Sequence, residues 1–422
     1  MKILILSNRI PYPLKDGGVK AIDQLLRGFV DQGHEVDLAC FNTNRHHIDL
    51  NTLPNFYQNK INIHTVEIDT KIKPLGAIKA LIKNESYHLS RFISKNFNQL
   101  LIQLFKDQSF DIIHIEGLFM CPYIDLISSL TKAKIALRSH NIEHQIWKKL
   151  ALGSKGLKQW YLDKLWKQLK AFEDLQYTKV DFNIPITEGD LDYIQQHQGQ
   201  NILCIPYGLN EIPDRKTKNF QAKIGFLGSL EWQPNIEGME WFIAQCFPSI
   251  SKTNKEVELI IAGRNIPSSI SKINHPQINI LGEIEDINDF YDEVDIVIVP
   301  LLSGSGMRIK VIEGMAYNKL IISTSIGAEG TLYQDGENII IADDSSTFIQ
   351  KVNEAIQKFD EYITVTNNGY DHIKKEFNNI ELIKNETLSR QLLFEQSKAE
   401  EAVEHFTIND ETISISIELD EH

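Results

Sequence analysis

Cysteine is scarce in this chain, and long apolar runs are missing. Four cysteines occur in 422 residues, at Cys40, Cys121, Cys204 and Cys246, and none forms a C-x-x-C pair. This spacing argues against a disulfide framework or a structural zinc cluster and is typical of a reducing cytoplasm. No apolar run approaches the ~20 residues that a membrane-spanning helix needs. The opening MKILILSNRIPYP is one strand long before its prolines, so we expect no signal peptide and a cytoplasmic location.

Basic residues are too few to balance the acidic ones. The formal net charge is -14 at pH 7, which disfavours nucleic acid as a partner. Residues 1–200 carry 25 Lys and Arg against 21 Asp and Glu, a net of +4, whereas residues 201–422 carry 18 against 36, a net of -18. Because one compact domain has no reason to divide its charge in this way, we predict two domains that face different partners.

Short apolar runs alternate with segments of helical periodicity along most of the chain. Strands are predicted at 2–7, 35–41, 62–68, 110–116, 133–139, 181–187 and 201–206, and after these at 223–228, 257–263, 277–281, 294–300 and 320–324. This alternation indicates parallel sheets covered by helices on both faces. The polar stretch 210–221 is the predicted linker, so we expect two doubly wound α/β domains, 1–209 and 210–380. Such domains bind ligands at the carboxyl ends of their strands.

The segment 300–330 has the features of an anion-binding site. A predicted strand ends at Pro300, a Gly-Ser-Gly turn follows at 304–306, and a helix is expected over 307–317. Unpaired amides at the start of a helix attract anions, and glycine lets a phosphate approach the backbone closely.

Two cations strengthen this interpretation. Arg308 and Lys310 lie in the first turn of the expected helix, where positive charge opposes the helix dipole unless an anion is bound. Glu313 follows one turn later and is expected to accept hydrogen bonds from ribose hydroxyls. The alternative is a surface helix with a Lys310–Glu313 pair.

Here the sequence resembles the family 4 glycosyltransferases, because six further segments match in the same order as 300–330. They are Gly17-Gly18, RSHNIEHQIW at 138–147, IPYGLN at 205–210, GFLGSLEWQPNIEG at 225–238, LIIAGR at 259–264 and the run 280–300. The resemblance implies the GT-B fold, in which two Rossmann-like domains face a cleft. It implies retaining transfer from a nucleotide diphosphate sugar, and a last helix at 381–405 that crosses back to the first domain. The acidic tail 406–422 has no assigned role.

The resemblance also implies roles for single residues. Donor binding is expected from Gly17, Gly18, Gly228, Ser229, Gly263, Arg264, Ser305, Gly306, Met307 and Glu313. The resemblance implies a catalytic role for His140 near the reacting carbon, and our own interpretation of the helix start adds Arg308 and Lys310 to the catalytic group. Acceptor or cleft contacts are expected from Glu143, His144 and Lys15. The alternatives are a simple chain turn at the glycine pair and a core role for His140.

This sequence departs from the family pattern in two places. Many members have two glutamates eight apart in the donor loop, but Ser305 occupies the first position here and Glu313 the second. Many also carry an Arg and a Lys after the first strand of the second domain, where this chain has Ser229 and Asn235. Our hypothesis is that Arg308 and Lys310 supply the missing charge.

Two short motifs suggest metals, and both have simpler explanations. His140, Glu143 and His144 spell the H-x-x-E-H of zinc proteases, but the first histidine falls at a strand-to-helix transition. Asp190 and Asp192 match a metal-binding D-x-D, yet side chains two apart at a helix start diverge, and helix capping explains them. We predict no metal and no cofactor beyond the nucleotide sugar as co-substrate.

The segment 148–170 carries seven lysines and one aspartate around Leu157, Trp160 and Trp166. Basic residues around aromatic and leucine side chains are typical of a helix on an anionic membrane surface, and 71–83 has the same character. The alternative is ordinary helix packing with a solvated lysine face.

The sequence therefore predicts a metal-independent retaining glycosyltransferase whose acceptor is a glycan or a lipid-linked glycan. The Lys-, Asn- and Ile-rich composition is associated with low-GC bacteria, where such enzymes build surface polysaccharides. Two other functions stay open. A nucleotide-sugar epimerase of the same fold needs no acceptor, and a non-catalytic nucleotide-sugar-binding protein would accommodate the missing glutamate and the missing Arg/Lys pair.

Overall fold

The computed structural model describes residues 1–14, 17–71, 73, 76, 80, 86–214, 219–304 and 306–385. Six sequence predictions therefore fall wholly or partly outside the described residues. They concern Lys15, Ser305, most of 71–83, residues 215–218 of the linker, the last helix beyond residue 385 and the tail 406–422.

Twelve strands of the described chain form two parallel sheets. The first sheet contains β1 (Lys2–Ser7), β2 (Glu35–Thr43), β3 (Ile61–Ile68), β4 (Ile112–Glu116), β5 (Lys134–Ser139) and β6 (Phe182–Pro185). The second contains β7 (Lys223–Leu227), β8 (Glu258–Ala262), β9 (Ile278–Gly282), β10 (Ile296–Val299), β11 (Leu320–Ser323) and β12 (Ile340–Ile341).

Both sheets have the same topology. Their orders are β3-β2-β1-β4-β5-β6 and β12-β11-β10-β7-β8-β9, so the first strand of each domain lies between its second and its fourth. This is the doubly wound Rossmann order, in which the crevice lies where the strand order reverses. The predicted α/β class and the two doubly wound sheets are confirmed.

Helices connect the strands and cover both faces. In the first domain they are Gly17–Asp31, Asn55–Lys60, Tyr87–Ser90, Lys95–Asp107, Ile124–Leu130, Glu143–Leu152, Gly156–Lys179 and Glu188–Gln196. Those that follow are Gln233–Trp241, Phe247–Thr253, Ser268–Ser271, Ile287–Glu293, Ile309–Ala316, Ser345–Gln357 and Phe359–Glu376. Among the described residues, no helix combines the length and apolarity needed to cross a bilayer.

Each sheet is buried on both faces, which explains the continuous apolar runs. Along β1, Leu4 and Leu6 pack into one core cluster, whereas Ile3 and Ile5 pack into another. All four are fully buried. Successive side chains of a strand point to opposite faces, so a strand covered on both sides needs apolar residues at every position.

The structure differs from the strand predictions at two places. Residues 201–206 run beside β6 with three backbone hydrogen bonds, among them Leu203 N–H to Asn183 O at 3.0 Å, but they form one isolated bridge rather than a strand. The two-residue strand β12 was not predicted, because its length is too short for a periodic signal.

The chain returns to the first domain after its second sheet. Asn379 Nδ2 donates to the Gln24 carbonyl at 2.9 Å, and Ile383 is buried in the cluster formed by β1, β2 and the helix Gly17–Asp31. A Cβ built on Gly28 lies 2.6 Å from Ile383 Cγ1, so this helix needs glycine where residues 379–385 cross it.

Candidate functional site

The loops at the carboxyl ends of the two sheets face each other across a cleft. Residues 306–308 follow β10 along the chain and lie against the first domain. Gly306 has φ +87°, and a Cβ built on it would lie 2.4 Å from Asn141 Oδ1. On the opposite wall, a Cβ on Gly17 would lie 2.9 Å from Ile309 Cδ1. Both glycines therefore permit close approach between the domains, which a simple chain turn at Gly17 does not require.

The helix after this loop begins two residues later than predicted, at Ile309. Arg308 is its N-cap residue and has a non-helical backbone, with φ -93° and ψ 78°. Its amide donates to the Glu329 carbonyl at 3.3 Å, so the 326–329 turn holds the helix start in place. As in any α-helix, the first amides have no partner within the helix itself.

Arg308 is bound within its own domain. Its Nε donates to the Ile326 carbonyl at 3.0 Å and a terminal nitrogen to Glu329 at 3.1 Å. The guanidinium also lies 5.4 Å from the centre of the Trp232 ring. The side chain is 3% exposed. These contacts of Arg308 therefore hold the loop in place, and its positive charge is paired with the carboxylate of Glu329.

Lys310 lies in the first turn of the helix Ile309–Ala316 and reaches the loop after β7. Its Nζ donates to Asn235 Oδ1 at 2.7 Å and would lie 2.7 Å from a Cβ on Gly228. Burial and the neighbouring Arg308 charge lower the pKa of Lys310 to about 7, although Glu313 opposes them. The ammonium therefore reaches the loop after β7 from a different point in the sequence.

Glu313 forms an ion pair with Lys20 across the cleft. The Lys310–Glu313 pair of the alternative interpretation is therefore not the contact observed. Lys20 lies in the first turn of the helix Gly17–Asp31 and was not identified from the sequence. Its position in the sequence could have indicated it, because a cation in the first turn of a helix opposes the helix dipole. The same argument identified Arg308 and Lys310.

The remaining predicted donor residues lie in the loops after β7 and β8. Gly263 has φ +154°, and its Cβ would overlap the Gly228 carbonyl at 1.9 Å. Ser229 accepts Asn235 Nδ2 at 2.7 Å through its carbonyl, and the Arg264 carbonyl accepts the Leu230 amide at 2.9 Å. These contacts fix both loops beside Lys310. Met307 Sδ lies 3.3 Å from the Tyr207 amide.

His140 follows β5 and is held by a buried carboxylate. Its Nε2 lies 2.6 Å from Glu116 Oε2, while His114 Nε2 lies 2.6 Å from Glu116 Oε1. Burial alone raises the pKa of Glu116, but the Arg138 charge and the two histidine hydrogen bonds outweigh it and hold the pKa well below its usual range. An ionised Glu116 accepts from Nε2–H, so Nδ1 is the nitrogen of His140 left for the cleft.

Glu116 was missed by the sequence analysis. It is the last residue of the buried strand β4, and it is 3% exposed. A carboxylate at the carboxyl end of a buried strand was the available signal, because buried charges require partners.

Glu143 and His144 have different environments. Glu143 and His140 line a cavity of about 340 Å³ in the first domain. His144 is 3% exposed. Its Nδ1 lies 2.8 Å from Glu173 Oε2, and Glu173 also accepts the amides of both residues. The expected cleft contact of His144 is therefore corrected: its ring supports the helix start from the interior.

Replacing Glu143 with Gln is expected to stabilise the protein at alkaline pH. Burial and the charges of Glu173 and Asp190 raise the pKa of Glu143 from 4.5 to about 8. Between these values the folded protein binds a proton that the unfolded chain releases, so stability falls as pH rises through this window. Glu143→Gln should raise the Tm over wild type at pH 9 and leave it nearly unchanged at pH 5.

Scanning calorimetry from pH 5 to pH 9 measures this difference, with the exposed Glu67→Gln as the matched control. An equal Tm shift at both pH values would contradict the assignment.

The residues of the two metal-like motifs have other contacts in the structure. His140 and His144 bond separate carboxylates, Glu116 and Glu173. Asp190 lies in the first turn of the helix Glu188–Gln196, where its amide donates to Thr187 Oγ1 at 3.1 Å. Within the described part of the chain, no group of three His, Cys, Asp or Glu side chains is arranged to hold a metal ion.

One known sequence family matches part of this chain, and one known protein matches most of it. Residues 221–358 match the family described as Glycosyl transferases group 1. A protein described as an uncharacterized 44.6 kDa protein in the cps region of Klebsiella pneumoniae is 24% identical, and the match covers 83% of this chain and 90% of the relative.

Solved structures share the complete architecture. HepE from Anabaena, in complex with UDP and glucose, has a TM-score of 0.63 at 15% identity, covering 92% of this chain and all of its own. Sucrose-phosphate synthase from Thermosynechococcus elongatus has a TM-score of 0.68 at 14% identity, covering 93% and 99%. A TarM variant from S. aureus, in complex with fondaparinux, α-GlcNAc-glycerol and UDP, has a TM-score of 0.64 at 12% identity, with the same coverage.

The two sheets, their shared strand order and these similarities agree with one another. The chain has the GT-B fold of two Rossmann-like domains, and it resembles glycosyltransferases, with the group 1 sequence pattern in its second domain.

Proposed function

We propose that the protein is a glycosyltransferase that takes a sugar from a nucleotide diphosphate sugar bound to the second domain and transfers it to a glycan bound to the first. One observation carries the proposal. The Lys310 ammonium lies beside Gly228 and Asn235 at the start of the helix Ile309–Ala316, so a cation and unpaired amides meet at one point facing the cleft. Such an arrangement binds a diphosphate.

The same groups support the chemistry of transfer. Breaking the bond between the sugar carbon and the phosphate oxygen leaves negative charge on the diphosphate. Lys310 and the helix start are placed to stabilise that charge, and we propose that they do so without a divalent metal. Glu313 binds the ribose hydroxyls, which compete with Lys20 for its carboxylate, and Lys20 is then available to the diphosphate. His140 contacts the donor sugar, and the configuration at the sugar carbon is retained.

The comparisons support this proposal in general terms. HepE and the TarM variant were both crystallised with UDP, which supports a nucleotide diphosphate as the leaving group here. The Klebsiella relative belongs to a cps region, which supports a polysaccharide as the product.

A thermal-shift panel of nucleotide sugars tests the proposal, because a ligand that binds only the folded state raises its stability by mass action. We expect one nucleotide sugar to raise the Tm and to be consumed once an acceptor glycan is added. Isomerisation of the donor without acceptor would instead identify an epimerase. If no nucleotide sugar shifts the Tm, the proposal is wrong.

We further propose that the protein lies on the inner face of the cell membrane through the turn between the helices Glu143–Leu152 and Gly156–Lys179. Leu152, Leu157 and Trp160 are 70%, 85% and 59% exposed. Lys155 and Lys158 beside them are also exposed. Apolar side chains surrounded by lysines suit an anionic bilayer surface, and a lipid-linked acceptor would be reached there.

Co-sedimentation with vesicles tests the membrane contact. The protein is expected to pellet with anionic vesicles at low salt and to be released at high salt. The double variant Leu157→Ser, Trp160→Ser should lose most of this binding, whereas Ile102→Ser, which removes an exposed apolar side chain elsewhere in the first domain, should retain it. Equal binding by all three proteins would contradict the contact.

A further inference from the structure

Three arginines line the cavity of about 340 Å³ in the first domain. Arg9 follows β1, Arg45 follows β2, and Arg91 follows the helix Tyr87–Ser90. Carboxyl ends of parallel strands share one edge of a sheet, so residues distant in sequence meet there. Asn141 also lines the cavity and lies against the donor loop at Gly306. The cavity therefore adjoins the proposed donor site.

Two of these guanidinium groups have no carboxylate partner within the described ranges. Arg91 donates to the Thr70 carbonyl at 3.0 Å and contacts His88 Nδ1 at 3.0 Å. Its Nε is buried and has no hydrogen bond to any residue that the structure describes. Burial and the Arg91 charge lower the pKa of His88 to about 4, so both contacts of Arg91 are neutral. Arg45 is exposed at the mouth of the same cavity.

The acidic residues of the cavity do not neutralise these charges. Glu116 is fully engaged by His114, His140 and Arg138. The pKa of Glu143 is raised to about 8 by burial and by nearby carboxylates, so its carboxyl group is largely protonated at neutral pH. The cavity is therefore electropositive. A partly buried guanidinium there costs free energy unless it hydrogen-bonds to an anion.

An apolar surface lies beside the cations. Phe92 and Phe119 both line the cavity, and their ring centres are 5.1 Å apart. A small-molecule site typically combines such an apolar wall with a few polar groups that fix orientation. A sugar ring carrying an anionic group matches both features.

We propose that this cavity binds the acceptor glycan through an anionic group, a phosphate or a carboxylate, held by Arg45 and Arg91. The inference rests on the proposed function for the identity of the ligand as an acceptor. The planar guanidinium suits both anions, because its parallel N–H groups match two oxygens at once.

Matched pairs of small glycosides distinguish the two anions. Glucose 1-phosphate is compared with methyl glucoside, and p-nitrophenyl glucuronide with p-nitrophenyl glucoside, by calorimetric titration with saturating UDP present to occupy the donor site. We expect the charged member of one pair to bind at least about tenfold more tightly than its neutral partner, as for loss of a charge-assisted hydrogen bond. The pair that discriminates identifies the anion.

Arg45→Gln and Arg91→Lys test which residues are responsible. Each should remove most of the preference for the charged member, since Arg91→Lys keeps the charge but loses the planar fork. Lys132→Gln, which removes an exposed cation before β5 at the opposite edge of the sheet, should leave the preference intact. Absence of any preference in the wild type, or its survival in both arginine variants, would overturn the inference.

The same titrations separate this failure from that of the proposed function. Nucleotide-sugar binding is measured in the wild type and in every variant. If a nucleotide sugar binds but no anion preference exists, only the acceptor inference fails. If the preference exists and depends on Arg45 but no nucleotide sugar binds, the cavity is an anion site and the transferase proposal fails.

Discussion

Affinity for the nucleotide sugar is expected to fall by up to about tenfold per pH unit above pH 7. The pKa of Lys310 is lowered to about 7 by burial and by Arg308, so its ammonium loses its proton just above neutral pH. Only the charged form attracts the diphosphate, and a bound diphosphate favours that form in return. Binding therefore takes up a proton above pH 7, and affinity must decline there.

Lys310→Gln should lower the affinity about 10- to 100-fold at pH 6.5 and abolish the pH dependence. Calorimetric titration from pH 6 to pH 9 is suitable, since the diphosphate diester of a nucleotide sugar does not titrate in that range. Lys252→Gln removes an exposed lysine elsewhere in the second domain and should match the wild type. A pH dependence that persists in Lys310→Gln would show that another group is responsible.

Replacement of His140 and of Glu116 is expected to separate catalysis from folding. His140→Ala should lower kcat by about 100-fold or more, as for loss of a hydrogen bond at the reacting centre, and should cost less stability than Glu116→Gln, because His114 and Arg138 still hold Glu116. Glu116→Gln should destabilise the protein by about 3–5 kcal/mol, since Arg138 and two histidines lose a buried counter-charge.

Steady-state kinetics and urea denaturation on the same preparations measure the two effects. Glu67→Gln, at an exposed position of β3, serves as the control for loss of a carboxylate. If His140→Ala retained full kcat, the ring would be a structural neighbour of Glu116 only. If Glu116→Gln were as stable as the control, the ion cluster around it would not support the fold.

Most of the fold could be predicted because its strands are buried on both faces. The strand β1 was predicted with its observed bounds, Lys2–Ser7. Because both faces of the sheet are covered, every interior position of the strand is apolar and the run is easy to recognise. Residues 201–206 also read as a strand, yet their pairing with β6 is one isolated bridge. Pairing depends on the partner strand, which local periodicity does not report.

The candidate site was indicated by residues that contradict a local rule. Arg308 and Lys310 oppose the dipole of the helix that they begin, and Lys20 shows the same conflict at the helix Gly17–Asp31. The sequence alone does not reveal which side chains pair with one another. Arg308 forms an ion pair with Glu329, and His140 is oriented by Glu116 from a neighbouring strand. These partners are brought together only by the sheet order.

A crystal structure with the tightest-binding nucleotide sugar tests the central claim most directly. The account predicts diphosphate oxygens within hydrogen-bond distance of Lys310 Nζ and of the backbone amides of Ile309 and Lys310, with the ribose on Glu313. A diphosphate bound elsewhere on the protein, with Lys310 still donating only to Asn235 and Glu313 still paired with Lys20, would contradict it.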